Sequence, residues 1–424
     1  MREVPPVSVK ERLEKKRAEW RKIAETVQDK PAKFGPDVDF ARFKEPRQKQ
    51  EVDSLKSLSK QMKEAALYAG VDAEEKFRSG SYFQVDYTPI YRKVQEMYKG
   101  QLEIMSTGEA LEKYEWAQDL WWKAVPLDQD KFTARAELKH THGYFIHVFK
   151  GQKVETPIQA CLLLSENNVS QNVHNLIVID EGAEAQIITG CTVQEKVTGG
   201  AHIGISEFFL RKNSSLMFTM IHNWAESFDV RPRSGTVLEE GATFVNNYIL
   251  MKPVKSIQMF PAAYLNGDKS RARFNTILAG KKDSYIDVGS KAVLKGKHTS
   301  AESIARTVAY DESEIYARGD LLSQVNESRA HLDCRGILFS DKAKIWAIPA
   351  LAAEMAPQAE LSHEAAISPI AEEEVEYLMT RGLAKDEAMS TITRGFLDIE
   401  IPGLPPILKK YIDNVLDAAD KEAL

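Results

Sequence analysis

The 424-residue sequence predicts a mainly β protein, a right-handed parallel β-helix flanked by N-terminal and C-terminal helical regions. Three observations predict it. Polar and glycine-bearing turns recur at a short, regular period through the middle of the chain. The runs between them are rich in Val, Ile, Phe and Thr, and charged amphipathic segments stand on either side.

Residues 1 to 130 read as an N-terminal helical region. Lys10 to Lys30 is dense in charge, with Leu13, Trp20, Ile23 and Val27 spaced for one apolar stripe. Further helical runs are expected over about Glu51 to Tyr68 and Tyr91 to Met105. The Pro-, Lys- and Asp-rich stretch from Asp29 to Gln50 reads as an exposed connection. Tyr114, Trp116, Trp121 and Trp122 read as a packed helical junction.

Residues 131 to 368 form the expected β-helix core. Turns are expected near Glu181, Lys212, Glu239, Gly267, Lys281, Gly296, Asp311, Glu327, Asp341 and Pro357. From Lys281 the gaps are 15, 15, 16, 14 and 16 residues, and the earlier gaps of 31, 27 and 28 are about twice that. An antiparallel sandwich would show hairpin turns instead. About 30 residues per coil of two strand units fits a stacked solenoid, whose open ends call for helical caps.

Residues 369 to 424 read as helical again. Ser368-Pro369 is expected to cap a helix bearing Val375, Leu378 and Met379, closed at Arg381-Gly382. A second short helix is expected from Lys385 to Arg394-Gly395, and a last one carries Leu408, Ile412, Val415 and Leu416. Such helices suit either a cap or a docking surface.

Composition narrows the function. The chain is 43% hydrophobic and 28% charged, and its net charge of -6 argues against a nucleic-acid or membrane-surface binder. No apolar run is long enough to span a bilayer, and the N-terminus has no signal-peptide pattern. Three scattered cysteines, Cys161, Cys191 and Cys334, exclude a disulfide framework and point to the reducing cytoplasm. They also exclude a four-thiolate cluster within one chain. Phosphate-binding loops, zinc-helix motifs and nucleophile elbows are missing, so the chain is expected to be no ATPase and no enzyme.

One constellation remains. Cys334 lies seven residues after the turn at Glu327, and Glu364 seven after Pro357, with His363 one residue earlier. These residues are expected to stack on adjacent coils, about 4.8 Å apart. A thiolate, an imidazole and a carboxylate at that spacing suit a transition metal or an activated thiol, although each alone is an ordinary core residue. His140 and His142 would share a face of a strand, compatible with a metal pair, with His147 nearby. Cys191 has no role that its position decides.

The sequence resembles the SufB/SufD family. The resemblance rests on Leu361 to Ser368 followed by Glu376 to Leu383, on Ile188-Thr189-Gly190-Cys191, on Phe218 to Trp224, on Asp333-Cys334-Arg335-Gly336 and on Trp121 to Val125. It implies a scaffold that builds a transient iron–sulfur cluster at a subunit interface. The implied partners are a SufC-type ABC ATPase, docked on the C-terminal helices, and a second SufB- or SufD-type subunit in a homodimer or heterodimer. Cys334 then matches the SufB assembly thiol, carrying persulfide or cluster. Glu364 and His363 match its further metal ligands, shared with the second subunit. Ser362 stands where many relatives have glutamate, and the sulfur-receiving cysteine has no clear match between Thr236 and Gly241. A SufD-like structural partner, which docks SufC and a separate SufB, is the runner-up. A carbohydrate-active β-helix enzyme would need a carboxylate pair that is not discernible.

Overall fold

Each expected turn from Glu181 to Glu327 lies within two residues of a position in the left-handed backbone region. These positions are Gly182, Asn213, Gly241, Lys269, Lys282, His298, Asp311 and Glu327. Glycine enters that region freely and Asn and Asp tolerate it, so the polar turns reverse the chain at regular intervals. A computed structural model describes residues 8 to 397.

Strands account for 44% of the structure and helices for 21%, as a β-solenoid of about eight turns with helices towards the termini. Among the described residues the strands form a ten-stranded and an eleven-stranded sheet, predominantly parallel. Arg271 lies opposite Ser300, and Ser300 opposite Arg329, so these two successive coils are equal in length. Inward residues of both sheets fill the interior. Phe208 packs 4.7 Å from Phe218 and 5.4 Å from Phe244 between ring centroids, and Phe244 continues the stack to Phe274.

The N-terminal region holds a helix at Val9–Val27 with a Ser8–Glu11 capping box, and another at Lys60–Tyr68. The helical run expected over Tyr91 to Met105 is overturned. That stretch contains the end of the strand Thr88–Val94, a short turn and the strand Leu102–Ser106. Gly100, at φ 79°, breaks the apolar spacing that mimics a helix. The preceding strand, Gly80–Val85, pairs antiparallel with Thr88–Val94 and parallel with Ile158–Leu164, so this hairpin extends the solenoid sheet.

The tryptophan junction is fastened to the solenoid by one buried carboxylate. Glu207 accepts backbone N–H bonds from Trp122 at 2.7 Å, Ala124 at 2.6 Å and Val125 at 3.0 Å, and lies 2.8 Å from His174 Nε2. Gly235 allows the approach, since a Cβ there would stand 2.0 Å from the Ala124 carbonyl oxygen.

At the other end, the strands Lys344–Ala353 and Glu360–Ser368 each pair with one neighbour only, among the described residues. Ser368 ends its strand rather than capping a helix. The helix Glu372–Thr380 starts after Ala371 instead, with Glu372, Glu373 and Glu374 in its first turn. The helix Lys385–Leu397 lays Leu397 on an outer apolar ladder of Ile277, Val308 and Ile337. The last expected helix, with Leu408, Ile412, Val415 and Leu416, falls outside the described residues.

Candidate functional site

Cys334 stands on the strand Arg329–Leu338, one strand in from the edge that is unpaired among the described residues. Neighbouring side chains on one strand alternate faces, and partners across a parallel pair share a face. Leu332 and Cys334 point into the solenoid, where Cys334 is only 3% exposed. Burial pushes its thiol up to about 11; the Asp333 charge adds to this and Arg306 opposes it. At neutral pH the group is a thiol, and a bound metal is what would deprotonate it.

Cys334 and the His363–Glu364 pair do lie on adjacent strands, but the register differs from the expected phase. Arg329 lies opposite Glu360, which places Cys334 opposite Ala365 and Glu364 opposite Asp333. The turn before the last strand, with Met355 at φ 54°, makes this coil longer than the two that precede it in the same sheet. His363, opposite Leu332, therefore shares the inner face with Cys334. It is half-buried, and its Nε2 has no hydrogen-bond partner among the described residues. Glu364 projects from the other face, exposed and 3.5 Å from the Arg335 guanidinium.

That outer face is a polar network. Asp333 accepts from Arg306 at 2.7 Å and from Arg335 at 3.0 Å. Burial would raise its carboxyl, but the two guanidiniums outweigh this and hold it below the ordinary value. Ser362, at the position often held by glutamate, lies 2.8 Å from His331 Nδ1.

The other candidate cysteines and histidines are elsewhere. Cys161 is buried among Phe83, Ile90 and Leu163. His140 and His142 lie in the loop before the strand Tyr144–Val148, not on a strand, and His142 has a φ of 66°. His147 bonds to Asp180 at 2.8 Å. Cys191 is buried inside the solenoid on Glu184–Val193, five strands from Cys334, or about 24 Å. Two histidines that sequence reading did not single out, His202 and His222, accompany it. The signal for one of them was present: His222 follows Cys191 by one full coil of the solenoid, directly opposite it in the ladder.

Comparison with known proteins agrees with this architecture. The family model for "SUF system FeS cluster assembly, SufBD core domain" matches residues 162 to 396. An iron–sulfur cluster assembly SufBD family protein of Methanothermobacter thermautotrophicus is 44% identical over 406 residues, covering 94% of this chain and 98% of its own. A SufBD family protein of Archaeoglobus fulgidus is 44% identical over 362 residues, covering 85% of this chain and 96% of its own. The assembly protein SufB of Bacillus subtilis is 28% identical over 344 residues, covering 79% of this chain and 72% of its own. The chain belongs to the SufBD family of iron–sulfur cluster assembly proteins.

Proposed function

We propose that the protein is a SufB-like scaffold of the SUF system, building a nascent cluster at a subunit interface in the cytoplasm. The carrying observation is the position of Cys334 and His363. Among the described residues, a thiol and an imidazole with a partnerless Nε2 share the inner face of the last two strands of one sheet, at its unpaired edge. Cys334 carries the persulfide or the cluster thiolate, and His363 supplies a nitrogen ligand. Glu364 reaches the same ion only when the edge strand shifts, a movement that pairing with a second subunit and ATP use by SufC would drive.

The open end supports the pairing. Trp346, Ile348 and Leu351 on the edge strand Lys344–Ala353 are large apolar side chains left exposed. A long unpaired edge invites another strand. An apolar groove between Leu338, Phe339, Ile370, Val375 and Met379 supports docking of SufC at the C-terminal helices. Mixed thiolate, nitrogen and oxygen ligation gives a labile cluster, as a scaffold that hands it on requires.

Anaerobic reconstitution with ferrous iron and sulfide tests the site. The wild-type protein should develop a cluster absorbance that Cys334→Ser abolishes. Retention of that absorbance in the variant removes Cys334 from the site.

A further inference from the structure

The strand that carries His363 and Glu364 is preceded by one residue more than its neighbours in the sheet. The turns at 295–299 and 324–328 have five residues each, whereas the turn at 354–359 has six. In the five-residue turns the left-handed residue stands two places before the strand, at His298 and Glu327. In the six-residue turn it is Met355, five places before the strand, at φ 54° and 94% exposed. A left-handed backbone is costly for a long side chain, and Met355 gains no burial in return.

Burial does not fix the faces of this strand either. Ser300–Ala309 and Arg329–Leu338 bury Ala301, Val308, Ala330, Leu332 and Cys334, whereas no residue of Glu360–Ser368 is buried. Register is strongly specified only where one face is buried. Across the pair, Arg335 meets Glu364 at 3.5 Å and His331 Nδ1 lies 2.8 Å from Ser362. Contacts at such exposed positions are weak. Ala365 and Ala366, opposite Cys334 and Arg335, are small enough to stand on either face.

We infer that this edge strand has two registers, and that Arg335 is the positioning residue that latches the present one. Advancing the strand by one residue shortens the turn to five and sets Glu364 opposite Cys334. Because side chains alternate, Glu364 then points inward and His363 outward. The two registers offer Cys334 an imidazole or a carboxylate in turn. The advance also turns Leu361 and Ile367 out of half-buried positions, so the present register is the resting one. Ser368 moves about 3.3 Å towards the helix Glu372–Thr380, to which only Pro369, Ile370 and Ala371 join it. A pull on that helix is therefore the input. On the SufB-like reading above, from which the device takes its purpose, the shift of Glu364 acquires a latch, a slack turn and a direction.

The test is disulfide trapping in the full-length, iron-free protein with a mild oxidant, read by mass spectrometry. His331→Cys with Ser362→Cys reports the resting register, in which the two positions are opposite. Ala330→Cys with Glu360→Cys reports the advanced register, which brings Glu360 opposite Ala330. The resting pair should form readily in the parent. Arg335→Ala should speed the advanced pair about two- to fivefold. Deleting Met355 should make the advanced pair form faster than the resting one, because a five-residue turn fits the advanced register. Circular dichroism checks that both variants are folded. No acceleration of the advanced pair in either folded variant overturns the switch, and so does a resting pair that stays the faster in the deletion. If the deletion responds and Arg335→Ala does not, the latch is not Arg335. Trapping is read without iron, whereas cluster absorbance is read in Cys334→Ser, so the switch and the scaffold reading fail separately.

Discussion

The two ends of the solenoid obey the same repeat and differ in how they are finished. Near the N-terminal end, every residue of the strands Ile158–Leu164 and Ser170–Ile179 is buried. A hairpin continues one sheet there, and the tryptophan junction covers the other. At the far end most residues of Lys344–Ala353 and Glu360–Ser368 are exposed, although Trp346, Ile348 and Leu351 are as apolar as core residues. One end has been completed within the chain. The other presents a long edge of 10- and 9-residue strands, interrupted by Pro349, which cannot donate a ladder hydrogen bond. The contrast teaches that the coil itself is a neutral building unit, and that the two ends differ in how its stacking stops.

The comparison can be broken most severely at the closed end. Glu207→Ala strands three backbone N–H groups and His174 in the interior, and should cost about 3–5 kcal/mol of stability in urea unfolding. Leu162→Ala, inside the same end, should cost about 2–5 kcal/mol by the lost burial and the cavity left behind. At the open end the cost should appear in association instead. Trp346 stacks on Tyr316 at 4.4 Å and is 37% exposed. Trp346→Glu should weaken subunit pairing about tenfold or more by sedimentation, with little loss of the monomer's stability. The smallest effect belongs to Leu351→Ala, which should change stability by about 0.5 kcal/mol or less. A cost at Leu351 equal to that at Leu162 would mean that the two ends are finished alike.

Much of this was legible in the residues. The turn spacing located the coils because left-handed turns need Gly, Asn, Asp or similarly polar residues, which leave a visible mark. The hairpin within Tyr91 to Met105 was not legible. Its pairing partners lie elsewhere in the chain, and apolar residues four apart look helical when the partner strand is unseen. The site was legible to within one residue. Counting from turn starts paired Glu364 with Cys334, 30 residues on, whereas the ladder steps by 31 from Arg329 to Glu360 and so puts Glu364 on the opposite face. A single added residue suffices, because side chains alternate with a period of two. His202 escaped notice because its link to Cys191 crosses from one sheet to the other, a relation that no linear spacing expresses.

The sequence by itself therefore determined the repeat, the helical flanks and the three thiols available to the chain. Turn chemistry and hydrophobic composition act locally and can be read locally. Only the tertiary structure decided which coil ends stay open, which face Glu364 takes, and which nitrogens meet Cys191. Those outcomes depend on register accumulated coil by coil, and on side chains approaching across an interior that exists only once the sheets have closed.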